Sequence, residues 1–184
     1  SRSGGRPCPP SRPESKLLSN ESPGGSPIPG WRRKPIRLQG FDYSDPNYVY
    51  SVSLCARQPL QPFSDKSLAG MVVEALLFRA GENHSRVYAY CLMPDHLHLA
   101  LSPVVGKGSL PSLTQGFKSY TTRMAWKLGH RGILWQRSYY DHIARREEDV
   151  TAICQYILAN PVRKSLVDDP AKWPWSGMPD PAPG

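Results

Sequence analysis

Four side chains hold the chemistry for which this sequence is equipped: His96 and His98, two positions apart, and Tyr156 and Asn160, four apart. Residues i and i+2 of a β-strand share a face, so on a strand the two histidines stand side by side. Neutral imidazole is a good ligand for divalent first-row metals, and such a pair makes half a metal site without backbone strain. Residues i and i+4 of a helix lie one turn apart on one side, which sets the Tyr156 phenol beside the Asn160 amide. A tyrosine oxygen can attack phosphorus when a metal polarises the phosphate and the proton is lost, since a phenol's ordinary pKa of about 10 is too high for spontaneous ionisation. Asn160 can add a third, oxygen ligand. Each residue also has an ordinary reading: half-exposed histidines on a strand face, an amphipathic tyrosine at the edge of a core, a helix-terminal amide before proline.

The elements that must position these residues follow from the pattern. Apolar runs at 87–93 and 97–101 flank Pro94-Asp95, which predicts two strands joined by a tight turn. In the second strand Leu97, Leu99 and Leu101 share one face and the histidines the other. An aromatic and β-branched run at 48–55 predicts an earlier strand. Leu68, Val72, Ala75, Leu76 and Arg79 recur at helical spacing, with Ser64 or Asp65 as N-cap and Gly81 as stop. A second helix is predicted from the stripe Leu113, Phe117, Tyr120, Met124, Leu128, closed by Gly129. Residues 134–143 read as a fourth strand, and 147–160 as a third helix with Val150, Ile153 and Ile157 inward and Pro161 marking its end. The expected class is α+β: a ferredoxin-like β-α-β-β-α-β antiparallel sheet with two helices on one face, and an additional C-terminal helix over the histidines.

Composition narrows the partner. The 184 residues carry a net charge of +8 and a pI near 9.5, with basic residues spread from Arg32 to Lys164, which suits a polyanion, and nucleic acid before a membrane surface. No apolar run approaches the roughly 20 residues of a spanning helix. The four cysteines are far apart and suggest neither a disulfide framework nor a zinc knuckle, so a reduced, cytoplasmic protein is expected. Residues 1–30, rich in Pro, Ser and Gly, are expected to be a disordered tail, 31–176 the catalytic domain and 177–184 a C-terminal tail. Arg32, Arg33, Lys118, Arg123, Arg137, Arg145 and Arg163 are candidates for phosphate contact, and any of them could instead be a solvated charge. His142, beside Asp141, reads as a surface histidine or an outer partner of a metal ligand. Trp173 and Trp175 could stack on bases, although packing of the C-terminal turn on the core is the simpler reading.

Taken together, these motifs resemble a known family. They are the stretch from Arg37 to Tyr50, the His-hydrophobe-His signature within 90–99, Gly116-Phe117-Lys118-Ser119-Tyr120-Thr121-Thr122, Trp135-Gln136-Arg137 within 134–143, and Gln155-Tyr156 through Asn160-Pro161-Val162. In order and spacing, over about residues 34–176, they are similar to the HUH single-tyrosine transposases, and within them to the REP-associated tyrosine transposases. The resemblance implies a Mg²⁺- or Mn²⁺-dependent enzyme acting on single-stranded DNA with hairpins. It implies His96, His98 and Asn160 as metal ligands and Tyr156 as nucleophile. Attack by Tyr156 would leave the DNA 5′ end on the tyrosine and release a 3′ hydroxyl, and one tyrosine suffices if cleavages occur in sequence or in a homodimer. Two alternatives stand beside this reading: a non-catalytic DNA-binding remnant of a transposase, which binds without a covalent adduct, and a metal-dependent nuclease using water, which cuts without one.

Overall fold

The centre of the molecule is an antiparallel sheet of three buried strands, β1 (Val49–Cys55), β2 (Ser85–Leu92) and β3 (His96–Pro103), built from the aromatic, β-branched and leucine-rich runs. The computed structural model describes residues 40–57, 61–82, 85–144 and 147–181. The tail expected at 1–30 and the candidates Arg32, Arg33 and Arg145 lie outside the described residues. β4 (Tyr140–Ala144) and β5 (Ser176–Gly177) form the edges, giving the order β4-β1-β3-β2-β5. α1 (Lys66–Glu82) links β1 to β2, α2 (Leu110–Lys127) links β3 to β4, and α3 (Glu147–Leu158) follows β4. This is the expected ferredoxin-like arrangement with its extra C-terminal helix, and β5 is an addition to it. No helix of the described residues is long and apolar enough to cross a membrane.

Alternation in β3 divides the core in two. Leu97, Leu99 and Leu101 pack with Leu68 and Val72 of α1 and Phe117 of α2. On the opposite face Ala100, Cys91 and Met93 pack with Val150, Ile153, Cys154 and Ile157 of α3. The histidines share this second face, so α3 is the element that covers them. One irregularity sets the register: β2 shifts against β3 between Val87 and Ala89, which places Tyr88 and Ala89 both on the α3 side and brings Cys91 opposite His98.

Local signals explain the helix starts. The Asp65 carboxylate accepts from the backbone N–H groups of Ser67 at 2.8 Å and Leu68 at 3.3 Å, which makes it the N-cap of α1. Ser109 and Ser112 form a capping box for α2, one turn before the expected start. The inward face of α2 is also rotated from the expected stripe: Leu110, Thr114, Phe117, Thr121 and Ala125 are buried, while Leu128 is exposed. Small threonine and alanine side chains let α2 approach Trp135, whose ring lies 5.6 Å from that of Phe117 and 4.9 Å from that of Phe63.

Trp135 also explains why the fourth strand is shorter than the predicted 134–143. Residue 135 makes an isolated bridge to Ala56, its indole is turned into the core, and regular pairing with β1 resumes only at Tyr140. The Trp135 N–H donates to the Thr121 hydroxyl at 2.8 Å. Thr121→Val keeps the shape and leaves that buried N–H without an acceptor. We expect it to lower the unfolding free energy by about 1–3 kcal/mol in a urea titration.

Past α3 the chain departs from expectation again. Pro161 does not mark the end of helical structure: it is the second residue of a short helix, α4 (Asn160–Arg163), where a missing N–H costs nothing. Further on, the Trp173 indole donates to the Leu92 carbonyl at 3.0 Å and Leu92 N–H donates to the Trp175 carbonyl at 2.8 Å, so this tail packs on β2. Cys91 and Cys154 are free and buried as expected, whereas Cys55 is disulfide-bonded, which corrects the expectation at that residue.

Candidate active site at the histidine pair

β3 points both imidazoles to one place. The Nε2 atoms of His96 and His98 lie 2.8 Å apart and both side chains are buried, so the half-exposed reading does not hold. Each ring is held from behind. His96 Nδ1 donates to the Asp95 carboxylate at 2.6 Å, so in the neutral ring the lone pair is on Nε2. His98 Nδ1 lies 2.8 Å from the hydroxyl of Ser53, its cross-strand neighbour on β1. A hydroxyl both donates and accepts, so Ser53 can satisfy Nδ1 in either tautomer and lets His98 present either N–H or a lone pair at Nε2.

Electrostatics keep His98 available as a ligand. Burial, and then the neighbouring His96, pushes the His98 pKa down to about 3, with Arg163 and Lys164 adding to the effect and Asp95 opposing it. The Asp95 carboxyl is held below its usual range by its bond to His96, against the opposing effect of burial, with Lys164 contributing. The charges of Arg163 and Lys164, at the corner of α3 and α4, are therefore felt at His98, and that of Lys164 also at Asp95.

That corner also carries the other two candidates. Tyr156, half-buried on α3, lies under the Arg163 guanidinium, whose carbon is 4.3 Å from the ring centroid. Asn160 is buried, and its amide N–H groups donate to the carbonyls of Tyr156 at 2.9 Å and Ile157 at 3.2 Å. This is the helix-terminal amide of the ordinary reading, yet it orients the side chain: with Nδ2 committed, Oδ1 accepts from no described residue and is available as an oxygen donor. Among the described residues no three His, Cys, Asp or Glu cluster to hold a metal. A metal site here would use two imidazoles and an amide oxygen and leave the remaining positions to phosphate and water, a donor set that would suit Mn²⁺ and tolerate Mg²⁺.

Asp95 and Ser53 are the partners that sequence reading missed. Asp95 adjoins His96 and was legible as a turn residue; Ser53 is brought to His98 only by strand register. Outer partners of this kind tune ligand affinity. Asp95→Asn and Ser53→Ala are each expected to weaken Mn²⁺ binding about 10- to 100-fold, measured by calorimetry.

The remaining candidates sort by environment. The Lys118 ammonium sits 3.0 Å from the Gln136 carbonyl and within reach of the carbonyls of Arg137 and Ser138, so it braces the chain before β4, which weakens the expectation of phosphate contact. Arg123 and Arg137 are exposed. His142 is an exposed strand residue paired with Ser51.

Comparison with known proteins finds relatives in sequence and in fold. The chain is 27% identical over 160 residues to an uncharacterised protein of Haemophilus influenzae, covering 71% of this chain and 88% of that one. It is 28% identical over 101 residues to a second protein of the same organism, provisionally named a REP-associated tyrosine transposase, covering 49% of this chain and 57% of that one. The fold is similar to a solved REP-associated tyrosine transposase bound to a REP hairpin, with a TM-score of 0.64 and 19% identity over 76% of this chain and 82% of that one. The profile of the family described as "Transposase IS200 like" matches residues 47–160, from just before β1 to Asn160 and more than half of the chain, and the protein belongs to that family of transposases.

Proposed function

We propose that this transposase cleaves and rejoins single-stranded DNA through a 5′-phosphotyrosine on Tyr156, with a divalent metal ion and hairpin-containing DNA as substrate. The observation that supports it best is Arg163, which stacks on Tyr156 and whose charge is also felt at His98, linking the nucleophile to the histidine pair. His96, His98 and Asn160 would hold Mg²⁺ or Mn²⁺. When bound, the ion supplies a Lewis acid that withdraws charge from the scissile phosphate.

The chain's own residues do the rest. Asp95 and Ser53 fix the imidazoles from behind, and His98 stays neutral throughout the physiological range. Arg163 sets positive charge over the ring that must become negative as its proton leaves. The Tyr156 oxygen, its proton passed to solvent, then bonds to phosphorus, the bond from phosphorus to O3′ breaks, and O3′ takes a proton from solvent to become a free hydroxyl. Attack by that hydroxyl, or by another strand's, reverses the step and releases Tyr156 without an external energy source. The hairpin is proposed from the similar solved protein, which is bound to one. A homodimer would supply a second tyrosine for the paired cleavages.

Incubation with hairpin-containing single-stranded DNA and Mn²⁺, followed by a denaturing gel, should show a protein–DNA adduct. Binding without an adduct would leave a DNA-binding remnant, and cleavage without one a water-using nuclease; either defeats the proposal. Arg163→Gln removes the stacked charge and is expected to slow adduct formation at least tenfold while DNA binding falls less, which single-turnover kinetics would separate.

A further inference from the structure

On the other side of the sheet, α2 and the segment 131–138 enclose an open groove of about 910 Å³. Arg57, Arg123 and Arg137 line it, all three exposed, and no Asp or Glu is among its lining residues. None of the three takes part in the ion pairs of the described residues. Two apolar groups interrupt the charge: Trp126 is 51% exposed and Ile133 is 54% exposed. The Trp126 N–H donates to the Gly132 carbonyl at 2.6 Å, which holds the indole at the groove wall. Lys118 braces the opposite wall through the carbonyls of residues 136–138.

A basic groove with a fixed aromatic ring is the arrangement that holds single-stranded nucleic acid: cations follow the phosphates, and any base can stack on the ring. We infer that this groove binds a run of single-stranded DNA and leads it to the Tyr156 site, an inference that rests on the transposase chemistry proposed above. Charge complementarity identifies the occupant as a polyanion, and the indole identifies one that carries bases.

The groove's position supports the path. Arg57 lies two residues beyond Cys55, the register partner of His96, or about 7 Å of extended chain. Ala56 N–H donates to the Asp95 carbonyl at 2.8 Å, and the Asp95 side chain holds His96. A strand leaving the groove at Arg57 thus rounds the end of the sheet beside the turn that leads into the histidine strand.

The test is fluorescence anisotropy with a labelled thymidine dodecamer, which has bases and phosphates but no hairpin, on the full chain. The combined variant Arg57→Gln, Arg123→Gln, Arg137→Gln should bind it at least tenfold more weakly, and the slope of log affinity against log salt should fall in magnitude by about 2, at about 0.7 per lost phosphate contact. Trp126→Ala should weaken binding about tenfold with the slope unchanged, and Trp126→Phe should restore most of it. Circular dichroism checks folding; should the combined variant unfold, Arg123→Gln alone carries the test with a proportionately smaller effect. Unchanged affinity in the folded variants overturns the inference, as does equal displacement of the dodecamer by polyglutamate of matched charge. An adduct on Tyr156 together with unchanged dodecamer binding would remove the groove and leave the chemistry. Weakened binding in the variants of a protein that forms no adduct would remove the chemistry and leave the groove.

Discussion

Tyr156→Phe is expected to give a folded protein that binds hairpin DNA as the parent does and forms no detectable covalent adduct. The substitution keeps the ring under Arg163 and removes only the attacking oxygen, so its effect on stability should stay within about 1 kcal/mol. Tyr139 and Tyr140 are the rivals that must be excluded, and their surroundings differ. Tyr139 is buried in the core on the α1 and α2 side, with the Lys118 ammonium 5.2 Å from its ring centroid, on the far face from the histidines. Tyr140 pairs directly with Ser53, the residue that touches His98, so it shares the histidine face and is the stronger competitor. It is, however, held in the β4 ladder, one strand further from β3, whereas Tyr156 sits on α3, which runs on into the short α4 that carries Asn160 and Arg163. Tyr140→Phe and Tyr139→Phe should still form the adduct. Peptide mapping of the adduct should find the 5′ phosphate on Tyr156; finding it on Tyr140 would move the nucleophile to β4 and overturn the assignment.

Replacing either histidine with alanine should abolish Mn²⁺-dependent cleavage while leaving the affinity for hairpin DNA within about threefold. On the proposed mechanism the two effects separate, because most of the affinity for DNA would come from Lys and Arg at phosphates, whereas activation of the phosphate would depend on the paired Nε2 atoms. His98→Ala also strips the Ser53 hydroxyl of a buried partner, and His96→Ala frees the Asp95 carboxylate. Some loss of stability is therefore expected, about 1–3 kcal/mol by urea titration, alongside the loss of Mn²⁺ binding by calorimetry. Full cleavage by either folded variant would remove the histidines from the mechanism. DNA binding lost in parallel with cleavage would instead make the pair part of the binding surface.

Local pattern carried much of this. Period-two alternation in β3 assigned the leucines and the histidines to opposite faces, and period 3.6 in α3 set Val150, Ile153 and Ile157 inward, because side-chain direction in a regular element depends on the backbone repeat alone. Motif order supplied the family and named Tyr156 and Asn160. Where the local pattern failed, a contact distant in sequence had intervened. Trp135 leaves the expected strand because Phe63, Phe117 and Thr121 receive its indole, and α2 turns a different stripe inward to accommodate it. Pro161 opens α4 because a proline at a helix's first turn forfeits no hydrogen bond, a distinction from a helix stop that the dipeptide cannot express.

By itself the sequence determined the fold class, the basic character, the histidine pair and the helix-borne tyrosine with its amide, all of which depend on residue type and short spacing. Only the tertiary structure decided what surrounds them. Ser53 stands 45 positions from His98, and strand register joins them. Arg163 stacks on Tyr156 while its charge is felt at His98, because the chain continues as helix past Pro161. Arg57, Arg123 and Arg137 line one groove because the chain from 131 to 138 folds back between α2 and the end of β1. Such long-range juxtapositions depend on packing, and packing has no period along the chain.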